Sequence, residues 1–278
     1  MLPLGADHVV GASVVRRWIA CLFVTLCSTS VRAQQPFYTD DADVTAGGKV
    51  HVECFDEHDW LQSSQLPHLQ QNTFNTKLNY GLGHGLELDL DAPLIAIGND
   101  ATLVPQWPFG IGDLDFGVKY NLREEREGSS APALSLALYT EMPTGEVSTG
   151  LGSGLVDIWT YAIVQKTLPS DFVMHVNGGY LFHGNTSTGV VGITAVRGHV
   201  ATMGGSVVRR ISKALTLGVD VTAAVTSNAA LQRAQFQVML GGDYELHGGY
   251  TLTLGVVAGH YTASPRIGVQ AGFSWDQP

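Results

Sequence analysis

Beyond its first thirty residues the chain has no apolar run long enough to cross a bilayer as a helix, which takes about 20 residues. Any membrane crossing must therefore be made by strands closed into a barrel. Cysteine is nearly missing. Of Cys21, Cys27 and Cys54, the first two fall in a segment expected to be removed, so no internal disulfide can form and stability must come from elsewhere. Charge is sparse at 14% of residues, and basic residues are few, 15 Lys and Arg against 25 Asp and Glu, for a net charge of −10. That balance excludes nucleic acid as a partner.

The N-terminal residues have the order of an export signal. Arg16 and Arg17 precede the apolar run Trp18 to Leu26, and Val31-Arg32-Ala33 supplies a small-residue cleavage site. Residues 1–33 are expected to be a secretory signal peptide and 34–278 the mature domain.

What the chain does have is period-two alternation. In Leu114, Phe116, Val118, Tyr120 and Leu122 one face is large and apolar. The face between them carries Asp113, Asp115, Gly117, Lys119 and Asn121. This is a strand with one greasy and one wet side. Leu86 to Ala92 alternates as cleanly, and so do stretches around 74–80, 134–138, 172–182, 215–222, 235–240, 250–256 and 267–275. Segments 49–60, 155–166 and 198–209 are less regular but have strand composition. The sum is about twelve strands of roughly ten residues, the length that spans an outer membrane rather than the five or six usual in globular sheets. The expected fold is all-β, a transmembrane antiparallel up-and-down barrel of about 12 strands. Connections near 81–85, 167–171, 210–213 and 243–248 are short and those near 97–111, 143–154 and 183–197 long, as outer-membrane barrels require. The connection 123–131 is long for its side. Tyr80, Tyr120, Phe172, Tyr250 and Trp275 fall outward at one level, an interfacial aromatic girdle.

Several segments resemble the outer-membrane family of phenol-degradation meta-pathway proteins, often called transporters. They are Tyr38-Thr39-Asp40-Asp41, the run Gly110 to Tyr120, Met142-Pro143-Thr144-Gly145, and Leu151-Gly152-Ser153-Gly154 followed by Asp157. The resemblance implies an outer-membrane barrel that passes small hydrophobic or aromatic compounds. It supplies no catalytic residues.

Alternation sends Glu87, Asp89, Asp91, Asp113, Asp115, Asp157 and Asp220 to the lumen, with Lys77, Lys119, His175 and Arg266. The strands 86–92 and 112–122 would put five carboxylates on one wall, which attracts cations or pairs with the lysines to brace the barrel. Inward glycines such as Gly117, Gly218 and Gly255 leave room for a passage. His51, Glu53, Cys54, Asp56, Glu57, His58 and Asp59 are dense in metal-ligand types, but strand alternation splits them between two faces, so no metal or other cofactor is expected. His175 and Asn177 with Ser135 or Ser274 are the only hydrolase-like set, and polar lining is the simpler role. The expected protein is a non-enzymatic outer-membrane transporter or channel of a Gram-negative-type bacterium. Its partners are membrane lipid, small-molecule solutes and, during biogenesis, the barrel-assembly machinery. A structural or adhesive barrel acting through its long loops, and a secreted soluble β-sandwich that binds a ligand, are the competing readings.

Overall fold

The computed structural model describes residues 35–187 and 195–278. The signal-peptide expectation for 1–33 lies outside the described residues, as does part of the connection 183–197. The strands are β1 (Val50–Trp60), β2 (His68–Gly83), β3 (Leu86–Asn99), β4 (Phe109–Ile111), β5 (Leu114–Arg123), β6 (Ala133–Met142), β7 (Asp157–Leu168), β8 (Phe172–Asn185), β9 (Arg197–Arg210), β10 (Leu215–Thr226), β11 (Ala234–Glu245), β12 (Tyr250–His260) and β13 (Ile267–Asp276).

Apart from β4 and β5, each strand pairs antiparallel with its sequence neighbours, and β1 pairs with β13 from His51↔Asp276 to Trp60↔Ile267, which closes the sheet into a barrel. β4 and β5 both pair with β3 and form one interrupted stave. The interruption is chemical. Pro93 on β3 has no N–H to give across the ladder, and Gly112, between β4 and β5, donates its own N–H to the Pro93 carbonyl at 2.9 Å. Thirteen strands therefore make the twelve staves expected.

The two faces are inverted relative to a soluble protein. Outward side chains are apolar and exposed, with Phe116 50%, Leu138 47% and Leu254 64% accessible. Inward ones are polar and buried, among them Glu53, Glu87, Lys119, His175, Asp220 and Gln270. A soluble β-sandwich has a greasy centre and a wet surface, so that reading falls. The girdle also forms. Tyr80, Tyr120 and Tyr250 are exposed at the short-turn end, Trp275 lies 6.5 Å from Tyr250, and the Arg209 guanidinium sits 5.0 Å over the Phe172 ring.

The connection that is long for its side, now 124–132, is tied down. Glu125 accepts from Lys166 and, at 2.8 Å, from the Thr167 N–H. Burial alone would raise its carboxyl, but these partners outweigh it and hold it below the ordinary glutamate range. A depressed carboxyl contributes its stabilisation at neutral pH and loses it as pH falls through the folded-state value.

Two outcomes are expected. Phe116→Arg puts a charge on the lipid face at a cost of about 2–4 kcal/mol and should abolish the compact, heat-modifiable gel band, whereas Asp115→Asn should keep it. Glu125→Gln should speed trypsin cleavage after exposed Arg126 at neutral pH without changing that band.

Candidate functional site

The lumen is not empty. The chain ahead of β1 runs around its inner wall as a strap, touching about one strand per residue. A Cβ on Gly255 (β12) or Gly241 (β11) would meet the Pro36 ring at 2.9 or 2.5 Å, and one on Gly218 (β10) would meet Phe37 at 2.8 Å. Asp220 on β10 then accepts three bonds, from the N–H of Tyr38 (2.7 Å), the N–H of Thr39 (3.0 Å) and the Thr39 hydroxyl (2.6 Å). The Asn177 amide on β8, turned so that both its ends are satisfied, donates to the Asp40 carbonyl and accepts from its N–H. Gln165 on β7 accepts from the Ala42 N–H at 3.0 Å, while Asn121 (β5, 2.7 Å) and Ser135 (β6) donate to its carbonyl. Glu87 on β3 accepts from the Thr45 N–H. A buried backbone segment outside any ladder needs partners for its polar groups; the inward side chains supply many of them, and the strap's own Asp40 and Asp41 carboxylates accept from the N–H groups of Asp41 and Asp43.

The predicted site residues divide by what they hold. Asp220, Glu87 and Lys119 hold the strap, and Lys119 lies 3.2 Å from Asp40 and 3.4 Å from Asp41. Asp113 and Asp157 hold the long-loop end. Asp113 accepts from the N–H groups of Gly145 (2.9 Å) and Ser153 (2.7 Å), and Asp157 from the Asn185 N–H (2.6 Å). Asp89 accepts from the Tyr139 hydroxyl at 3.0 Å, and Asp91 is 3.8 Å from Lys77. His175 is fully buried 2.9 Å from the Ser206 hydroxyl, not beside Ser135 or Ser274. Arg266 departs from expectation. It is exposed in the turn before β13 and lines neither lumen cavity, because the alternation holds only from Ile267 onward.

Among the described residues, two cavities lie beside the strap and beneath the long loops. One, of about 460 Å³, lies between the strap and the wall of β1, β2 and β3, and Glu87, Asp89, Asp91, Asp115 and Lys119 all line it. The other, of about 600 Å³, lies beneath the loops at 99–108 and 143–154 and is lined by Asp113 and Asp115. Gln71, Thr73 and Asp115 border both, so the two adjoin. The register accounts for the clustering, since it sets Asp91 opposite Asp115.

The inward glycines do not leave an open bore. Phe37 and Pro36 of the strap fill the space over Gly218 and Gly255, and the Tyr139 ring covers Gly117. Other inward aromatics collect on β6 and β7, where Trp159 and Tyr161 stack at 5.8 Å and Tyr161 meets Tyr139 edge-on at 5.9 Å, against Leu181, Val200 and Ala224. The strap itself was not foreseen. Its sequence signal is the stretch from Pro36 to Gly48, rich in polar residues and too irregular for a strand.

The profile of the family described as "Putative MetA-pathway of phenol degradation" matches residues 39–276. The chain belongs to that family. Its fold is similar to that of a COG4313 outer membrane channel from Pseudomonas putida F1, at 13% identity, 85% coverage of this chain, 98% of the other, and a TM-score of 0.64. It is also similar to the NanC porin (12% identity, 81% and 98% covered, TM-score 0.53) and to the KdgM porin in complex with disordered oligogalacturonate (9%, 81% and 98%, 0.51). At these identities the likeness is one of fold. No curated protein matches by sequence.

Replacing Asp220 by Ala removes the acceptor of three strap bonds. Bonds to a charged group contribute about 1.5–3 kcal/mol each, so the amides of Tyr38 and Thr39 should exchange hydrogen at least tenfold faster, measured by mass spectrometry, while the strand amides keep their protection.

Proposed function

We propose that this protein is an outer-membrane channel for small solutes whose resting lumen is narrowed by its own N-terminal strap. The observation that carries the reading is the pair of adjoining cavities, which reach from the strap to the space beneath the long loops inside the barrel. The strap blocks free passage along the axis, so the open state requires it to shift. Its grip is made of side-chain hydrogen bonds rather than a sheet ladder, and it can let go without breaking the barrel.

Hydrophobic and aromatic solutes are the class we favour. The support is the family's link to phenol degradation and the inward aromatic and aliphatic group around Trp159, Tyr161 and Leu181. The short turns face the periplasm in this reading, and the signal segment 1–33 directs export. The alternating apolar edge of β13, Ile267, Val269, Ala271, Phe273 and Trp275, suits recognition by the assembly machinery. The proposal includes no catalysis. His175 and Ser206 are both sealed from the cavities.

Removing residues 35–43 from the mature chain should raise single-channel conductance in planar bilayers severalfold over the intact protein. Cells carrying the intact protein should take up small aromatic compounds faster than cells lacking it. A barrel that stays silent with the strap removed, in cells that show no uptake difference, would instead favour the adhesive role of the long loops.

A further inference from the structure

The cavity of about 460 Å³ has a one-sided chemistry. Six buried acceptor oxygens on its lining have no protein donor: Gln35 Oε1, Asp59 Oδ1, Asn75 Oδ1, Asp89 Oδ1, Asp91 Oδ1 and Gln270 Oε1. No buried side-chain donor among the described residues of the same lining stands without a partner. Gln270 is the most telling, because it is only 1% exposed. Its Nε2 donates to Glu57 at 2.7 Å, which fixes the amide and leaves Oε1 without a donor. Unmet buried acceptors are costly unless something brings donors to them.

The charge is equally one-sided. Glu57, Asp59, Asp89, Asp91 and Asp115 line the space, together with Glu53, which is paired with the His51 imidazole at 3.2 Å. Of the two lysines on the lining, Lys119 is committed to Asp40 and Asp41. Lys77 reaches Asp91 only at 3.8 Å. Among the described residues no three carboxylates or imidazoles converge as they would around a metal ion. The negative charge is spread over the walls of a space of small-molecule size. Phe37, Tyr38, Phe55 and Tyr139 complete those walls. The Lys77 ammonium already lies 5.6 Å over the Phe55 ring, a geometry that attracts cations to aromatic faces.

We infer that this cavity binds a small organic ammonium ion with an aromatic body, of the arylalkylamine class. The ammonium supplies N–H donors and the missing positive charge to the acceptors of β1, β3 and β13, and the ring lies among the aromatic side chains. The inference deepens the channel reading and rests on it for the route by which the ligand arrives, but not for the binding itself.

The test is calorimetric titration of the full-length protein in detergent at neutral pH and constant ionic strength. The probes are phenethylammonium chloride, the uncharged 2-phenylethanol of the same shape, and sodium chloride. The ammonium should bind about tenfold or more tighter than the alcohol, as charge-assisted hydrogen bonds require, and sodium should not displace it. The double variant Glu57→Gln/Asp59→Asn should weaken ammonium binding by about tenfold and leave that of the alcohol unchanged. Glu127→Gln, on an exposed turn away from the lumen, should change neither. Equal affinity for alcohol and ammonium, displacement by sodium, or an unaffected double variant would each overturn the inference. If the double variant does not fold, the ammonium-to-alcohol ratio on the unaltered protein decides. A protein that conducts in bilayers but ignores the ammonium loses this inference alone. One that binds the ammonium but carries no current and takes up no solute loses the channel reading alone.

Discussion

Everything in this molecule follows from the ladder between β1 and β13. In hydrocarbon a strand edge has no water to satisfy its N–H and C=O groups, and each unmet group costs several kcal/mol, on the order of a whole protein's margin. Pairing of the first strand with the last removes both edges at once. Once the sheet is closed, the alternation of side chains has only one arrangement that suits lipid outside and water inside. Apolar residues such as Phe116 and Leu254 face out, and Asp220, Glu87 and Lys119 face in.

A polar interior then has a requirement of its own. Carboxylates and amides crowded into a narrow lumen need partners, and twelve staves leave a bore too wide for opposite walls to meet everywhere. The strap resolves this. Its backbone supplies donors and acceptors that the walls lack, and Asp220, Asn177, Gln165 and Glu87 take them in turn. Between the strap and β1 to β3, where it does not fill the space, several acceptors stay unmet and a cavity remains. Occlusion and binding space thus have the same origin.

Most of the fold was legible because its cause is local. A strand's two faces are written in alternate letters, so 86–92 and 112–122 gave both the strand and the direction of every carboxylate, and Asp91 and Asp115 do meet. Arg266 shows where that logic ends. Period two says nothing beyond the residue at which the ladder stops, and Pro265 and Arg266 belong to a turn. The break at Gly112 was less legible, since it depends on Pro93 across the sheet. The strap was hidden for a different reason. Its conformation is set by side chains about forty to nearly two hundred residues away, Glu87, Lys119 and Asp220 among them, and no periodicity within 35–49 reports them. The same distance hid the gathering of Glu57, Asp59 and Gln270, which lie on strands joined only by the closure.

The route of the strap carries a consequence for how the chain matures. Pro36 and Phe37 precede every strand of the barrel, yet their seats are on β10, β11 and β12, among the last strands. Residues ahead of the first strand cannot take these seats until the last strands are in place, and β1 likewise waits for β13. Sealing the wall and lining the bore are therefore a single terminal event. A chain truncated near its C-terminus forfeits both, however well its middle hairpins have formed.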